Sequence, residues 1–287
     1  MALSSIRCSR STLSRSAGAA AACALALLVA SDARSFAGLV SPPRFELKAK
    51  AGDVIRQVLE IGNDAAIPDE FAVSTADWTL NAKGGVDFSE PLAAGSCRPW
   101  VRIERHVVAM QPRAVRKFRF EVHIPPDAPA QECRFAIVVE KAKPAVPEVV
   151  AGNIQFPLQG RIGVIVYVAV GDVLPKLELR GVGLQDFNGR LTPSATFHNG
   201  GTSHGRPEGV LDGVDASGKS YEFVVSPFPI LPGETRSVAI WPQEAPDRKA
   251  PDLVYPLRLK GTIEWEGGKQ AIDSTIGAGS PVKAGSS

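Results

Sequence analysis

Once the first 37 residues are set aside, the chain has no long apolar run and no stretch of apolar residues at helical spacing. That argues against a helical bundle and against a membrane-spanning helix in the remainder. Histidine is scarce. His106, His123, His198 and His204 are the whole set, and only the last two are close in sequence. Neither has a Cys, Asp or Glu at metal-ligand spacing, so both read as solvated turn residues and no metal site is expected. A nucleophile elbow, a phosphate loop and a dinucleotide fingerprint are all missing. The acidic residues scatter over alternating strand faces, as a wet surface requires. No catalytic residue and no cofactor is expected, and the chain is not read as an enzyme. Charge of one sign is also lacking. The excess of Lys and Arg (32) over Asp and Glu (30) is supplied by Arg7, Arg10, Arg15 and Arg34 against Asp32 in the first 37 residues. The rest is close to neutral and carries no nucleic-acid footprint.

Glycine (27) and proline (23) are abundant, which suits many turns and few long helices. The first residues read as a secretory signal peptide, 1–37. Arg7, Arg10 and Arg15 form its positive region, and Ala17 to Ala30 is small and apolar. Ser35-Phe36-Ala37 offers a cleavage site before Gly38. Two cysteines remain beyond the leader, Cys97 and Cys133. In an oxidising compartment such a pair reads as a disulfide, and free buried thiols are the alternative.

Short β-like runs follow, separated by turn clusters. Leu39-Val40 with Phe45-Glu46-Leu47 reads as a first strand, Val54 to Ile61 as a second and Glu70 to Trp78 as a third. Val86 and Phe88 suggest a short edge strand, and Trp100 to Ile103 another strand. Phe118, Phe120, Val122 and Ile124 alternate with Lys117, Arg119, Glu121 and His123, the period of a half-buried strand. Arg134 to Glu140 continues the series. Residues 142–153, rich in Pro, Ala and Val, read as a loop that cannot pair as a regular strand. Ile154, Phe156 and Leu158 then alternate with polar residues and Pro157. Arg161 to Val168 is nearly solid apolar, as a central strand would be. A boundary is expected at Gly171 to Pro175. Beyond it, strands are expected at Leu177 to Val182, Ala195 to Asn199, Tyr221 to Val225, Ser237 to Trp241 and Leu257 to Trp265. Hairpin signals stand at Asp215 to Lys219 and Gly267-Gly268. The fold class is therefore all-β, with two immunoglobulin-like β-sandwich domains in tandem, 38–172 and 173–276, and a disordered tail, 277–287.

The order of several features resembles the periplasmic pilus chaperones, the PapD-like family. They are Val40-Ser41-Pro42-Pro43-Arg44, Gly52, Asn63, Trp78, Pro112, Ile124-Pro125, the Phe135 strand, a long loop and the strand ending at Tyr167. The resemblance covers 39–172 and continues more weakly to about 270. It implies a chaperone that holds the C-terminal carboxylate of a secreted pilus or surface-fibre subunit with two basic residues, matched here by Arg44 and Arg161. The second of these is usually Lys in the family. It also implies donor-strand addition, a mode in which chaperone–pilin pairs are a known example. Ile154, Phe156 and Leu158 stand in the donor row, although Pro157 lacks an N–H for a ladder. Periplasmic location, an outer-membrane usher as a further partner and a self-capping homodimer follow from the same resemblance. The strand ending Val168-Ala169-Val170 and the cysteine pair depart from the family pattern. The alternative reading is a structural or adhesive envelope protein that has this fold without the chaperone activity.

Overall fold

The computed structural model describes residues 37–81, 84–143, 148–150, 154–156, 160–243 and 251–277. The expected leader, except Ala37, the tail beyond Gly277, and Leu158 lie outside the described residues. Ala37–Lys143 and Arg161–Ser287 form one compact unit, while Pro144–Gly160 belongs to another.

The first part of the chain contributes β1 (Gly38–Ser41), β2 (Arg44–Ala49), β3 (Val54–Asn63), β4 (Asp69–Leu80), β5 (Val86–Ser89), β6 (Val101–Ile103), β7 (Val107–Met110), β8 (Val115–His123) and β9 (Gln131–Lys141). Next come β10 (Glu148–Val150), β11 (Ile154–Phe156) and β12 (Arg161–Val170). One sheet runs β1-β3-β8-β6 and a second runs β2-β12-β9-β4-β5, with β7 also on β4. The alternation read in β8 is observed: Phe118, Phe120 and Val122 are buried between exposed neighbours. They meet Phe71, Val73, Phe135, Ile137 and Val139 from the facing sheet, all fully or almost fully buried. Truncating one such ring to Ala costs about 3–5 kcal/mol.

Three expectations are corrected here. The first strand is two strands. β1 pairs antiparallel with β3, whereas β2 pairs parallel with β12 in the other sheet. Pro42 and Pro43, which have no N–H to donate, separate the two ladders. Trp100 closes a short 3-10 turn, Arg98–Trp100, before β6 begins. Within the segment read as a loop, β10 pairs antiparallel with β11. Pro144 and Pro147 precede Glu148-Val149-Val150, so three residues that keep their N–H, two of them β-favouring valines, follow the prolines. Ile154 and Phe156 thus lie on a two-stranded sheet of their own.

Cys97 and Cys133 form a disulfide with Cα atoms 6.0 Å apart. It ties the loop before β6 to β9. Asp77 holds the same loop, accepting from Ala93 N at 2.9 Å and Ser96 Oγ at 2.6 Å. Arg98 donates to the carbonyls of Thr75 and Glu90.

The second domain contains β13 (Leu177–Phe187), β14 (Arg190–Asn199), β15 (Val210–Val214), β16 (Ser220–Val225), β17 (Thr235–Pro242), β18 (Leu257–Trp265) and β19 (Gly268–Ile276). They follow one path, β13-β14-β17-β16-β15-β18-β19. β17 gives its first half to β14 and its last residues to β16, so it passes between two layers. Phe197, Leu211, Phe223, Ile240, Leu259 and Ile263 fill the space between them. Gly213 has no room for a side chain, since a Cβ there would sit 2.2 Å from the Phe223 ring. β14 begins earlier than expected, and β15 was not anticipated.

Candidate functional site

β12 is apolar on both faces for different reasons. Val164, Val166 and Val168 enter the sandwich core. Ile165 and Tyr167 point the other way. There they join Trp78, Ala76, Ala136 and Val138 of the first domain and Leu231 of the second. The outer face of a first-domain sheet is thus the floor of a contact with the second domain.

Beside that contact lies a cleft of about 430 Å³. Its walls include Arg44, Trp78, Ile165 and Tyr167 from the first domain and Arg206 and Phe228 from the second. Parallel pairing sets Arg44 opposite Ile165 at the start of β2. Its side chain is 49% exposed, and its Nε lies 2.8 Å from Glu46 Oε1. Its Nη1 and Nη2 donate no hydrogen bond among the described residues.

The second domain brings a chain of polar groups to the same place. Arg206 Nε donates to Glu46 Oε1 at 3.1 Å, and its Nη1 donates to Pro227 O at 3.1 Å. Its guanidinium also lies over the Tyr167 ring, 5.6 Å from the centroid. His204 stacks on Tyr167 with centroids 3.9 Å apart. Its Nδ1 meets Glu132 Oε2 at 2.5 Å. Burial, opposed by Arg206, pushes the Tyr167 hydroxyl up to about 12, so it stays protonated and can donate or accept. Arg236 closes the far side, donating to the carbonyls of Asn81 at 3.1 Å and Leu80 at 3.4 Å.

The expectation that His204 is a solvated turn histidine is therefore corrected. Its side chain is only 10% exposed and its carboxylate partner only 2%. Sequence spacing could not find this pair, because Glu132 and His204 lie on different domains. Arg206 and Glu46 escaped notice for the same reason. Among the described residues no group of three or more His, Cys, Asp or Glu is placed to hold a metal ion.

Arg44 and Arg161 are on the same face of the sheet but are not brought together. Arg161 stands four residues before Ile165, about 13 Å along the strand. Between them the face is covered: a Cβ at Gly163 would sit 2.2 Å from the Phe88 ring. Arg161 is directed to Glu90, 3.7 Å away, and does not line the cleft.

β12 also has an open edge. Ile165–Val170 pairs with β2 on one side, and the whole strand pairs with β9 on the other. On the β2 side, Arg161–Val164 pairs with no strand among the described residues. The opening ends where Ile165 N donates to Pro43 O at 3.2 Å, beside Arg44.

No family model matches the sequence, and no curated protein matches it. Similar solved structures include the class 5 fimbriae chaperone CfaA, with TM-score 0.44 and 10% identity over 83% of this chain and 98% of that one. The YadV chaperone has TM-score 0.43 and 10% identity over 83% and 99%. The CupB2 chaperone of Pseudomonas aeruginosa has TM-score 0.41 and 11% identity over 83% and 100%. These are likenesses of fold, and what the chain binds is read below from its own residues. The chain is an all-β protein of two immunoglobulin-like domains, similar in fold to fimbrial chaperones at 10–11% identity.

Proposed function

We propose that this chain is a periplasmic chaperone that holds secreted pilus or surface-fibre subunits through an added strand and an anchored C-terminal carboxylate. The observation that carries this reading is the open edge of β12, Arg161–Val164, leading to the exposed guanidinium of Arg44. Unpaired backbone groups on a sheet edge are a template for another strand. A segment in line with β2, and parallel to β12 like β2 itself, would end at Arg44. The Nη groups of Arg44, which donate no hydrogen bond among the described residues, suit a carboxylate, which a guanidinium binds with parallel charge-assisted bonds. In the same reading Ile154, Phe156 and Leu158 supply apolar side chains to the open groove of the subunit. Arg161, at the far end of the edge, would flank the segment rather than hold its terminus.

The test uses the protein with a fibre subunit that lacks its last strand. Binding is expected to keep the subunit soluble and monomeric. Arg44→Ala is expected to weaken the complex at least tenfold, as the loss of a charge-assisted pair does. The triple change Ile154→Thr, Phe156→Thr and Leu158→Thr is expected to abolish protection. If the subunit is neither bound nor protected, the reading fails, and stable display at the cell surface would favour the structural alternative.

A further inference from the structure

In the cleft, a single oxygen, Glu46 Oε1, faces two guanidiniums at once. Arg44 Nε lies 2.8 Å from it, Arg206 Nε 3.1 Å and, further off, His204 Nε2 3.6 Å. The two arginines come from different domains and outnumber Glu46 by one, while Glu132 faces His204 instead. Neither arginine is deprotonated in a protein. Beside them the cleft is apolar, walled by Trp78, Ile165 and Phe228, and it is large enough for a bulky side chain.

We propose that the second cation of the carboxylate site is Arg206, from the second domain, and that Glu46 is a resident carboxylate which the incoming one displaces. The ligand is the C-terminal residue of an extended chain: its carboxylate sits between Arg44 and Arg206, and its large apolar side chain enters the cleft. The inference deepens the chaperone reading and rests on it. Three features support the assignment. Glu46 shows that one carboxylate can reach both guanidiniums. Arg206 is held in place by Pro227 O and by the Tyr167 hydroxyl, 3.4 Å from its Nη2, so its aim is fixed before a ligand arrives. Arg161 is cut off from Arg44 by Phe88 over Gly163.

The experiment titrates the full chain with a twelve-residue peptide of alternating Val and Thr ending in Phe, once as the free acid and once as the amide. The quantity read is the ratio of the two affinities. A purely structural role for Arg206 would lower both affinities together and leave the ratio unchanged. In the unaltered chain the acid is expected to bind at least tenfold more tightly than the amide. Arg206→Gln is expected to reduce that ratio to near one, and Arg206→Lys to restore part of it. Glu46→Gln is expected to raise acid affinity several-fold, because the competitor is gone. Arg161→Gln is expected to leave the ratio as it was. If Arg161→Gln removes the preference while Arg206→Gln keeps it, the assignment to Arg206 is overturned and the chaperone reading stands. If acid and amide bind alike in the unaltered chain, carboxylate anchoring itself is lost, and this inference goes with it.

Discussion

The two domains share a plan but differ in what they bury. Among the described residues the first domain buries Asn63 and Asp77 and, at its contact with the second, the Glu132 carboxylate. The second buries Thr192, Ser194, Thr196, Asn199, Ser203 and Asp215. An asparagine ends a strand in each domain, β3 at Asn63 and β14 at Asn199. Asn63 donates to Ile67 O and Gln111 O and accepts from Ala65 N. Asn199 is fully buried and serves four backbone groups. It donates to Ser203 O and Ile230 O at 2.8 Å each, and accepts from Lys176 N and Gly201 N. It therefore ties the inter-domain link, its own turn and a distant loop into one body. That turn runs on to His204 and Arg206. The first domain offers the cleft a strand face fixed by apolar packing; the second offers loops fixed by side-chain hydrogen bonds.

This difference can be broken experimentally. The largest effect is expected from Cys97→Ser with Cys133→Ser. The disulfide closes a separation of 36 residues. By the chain-entropy account its loss costs about 4 kcal/mol. Hydrogen exchange should show that cost in the first domain with the second nearly unchanged; equal loosening of both would mean that they unfold as one. Next is Asn199→Ala, expected to cost about 3 kcal/mol in urea unfolding because it strands buried backbone groups, against about 2 kcal/mol for Asn63→Ala. Equal costs would erase the contrast between the domains.

The smallest expected effect is one of pH. The Asp215 carboxyl is held from 3.8 down to about 2, first by the Ser217 hydroxyl, then by the N–H groups of Lys219 and Ser217 and by the Tyr221 hydroxyl. A depressed carboxyl stabilises the fold fully above its unfolded pKa, and that contribution disappears as pH falls through the folded value. The urea midpoint of the unaltered chain should therefore drop between about pH 4 and pH 2, and Asp215→Asn should flatten the drop. Identical slopes would remove Asp215 from the account.

The same contrast explains what could be read in the sequence. The strands of the first domain announce themselves by period, as in Phe118-Arg119-Phe120-Glu121-Val122, because one face is wet and one is dry. β14 was read too short because Thr192, Pro193 and Ser194 look like turn residues yet are buried within a strand. A usable signal was present next to it. Asn188-Gly189, both at positive φ, joins β13 to β14 and is a strong hairpin marker. The disulfide was legible because only two cysteines, Cys97 and Cys133, lie beyond residue 37. Arg44, which lines the cleft, could be singled out in the sequence only through the resemblance carried by Val40-Ser41-Pro42-Pro43-Arg44. Arg206, Glu46, His204 and Glu132 were not legible, since Glu46 and Arg206 lie 160 residues apart and Glu132 and His204 lie 72 apart. No local pattern encodes a contact between domains.

Pro42 and Pro43 have a consequence of another kind. By ending the ladder of β2 at Arg44, they leave Arg161–Val164 of β12 without a partner on that side among the described residues. The four residues span about 13 Å. A long flat edge would recruit copy after copy into fibrils, the hazard that exposed strands carry. Two imino acids near the beginning of the domain thus keep the unpaired edge beside β2 short, which limits that hazard.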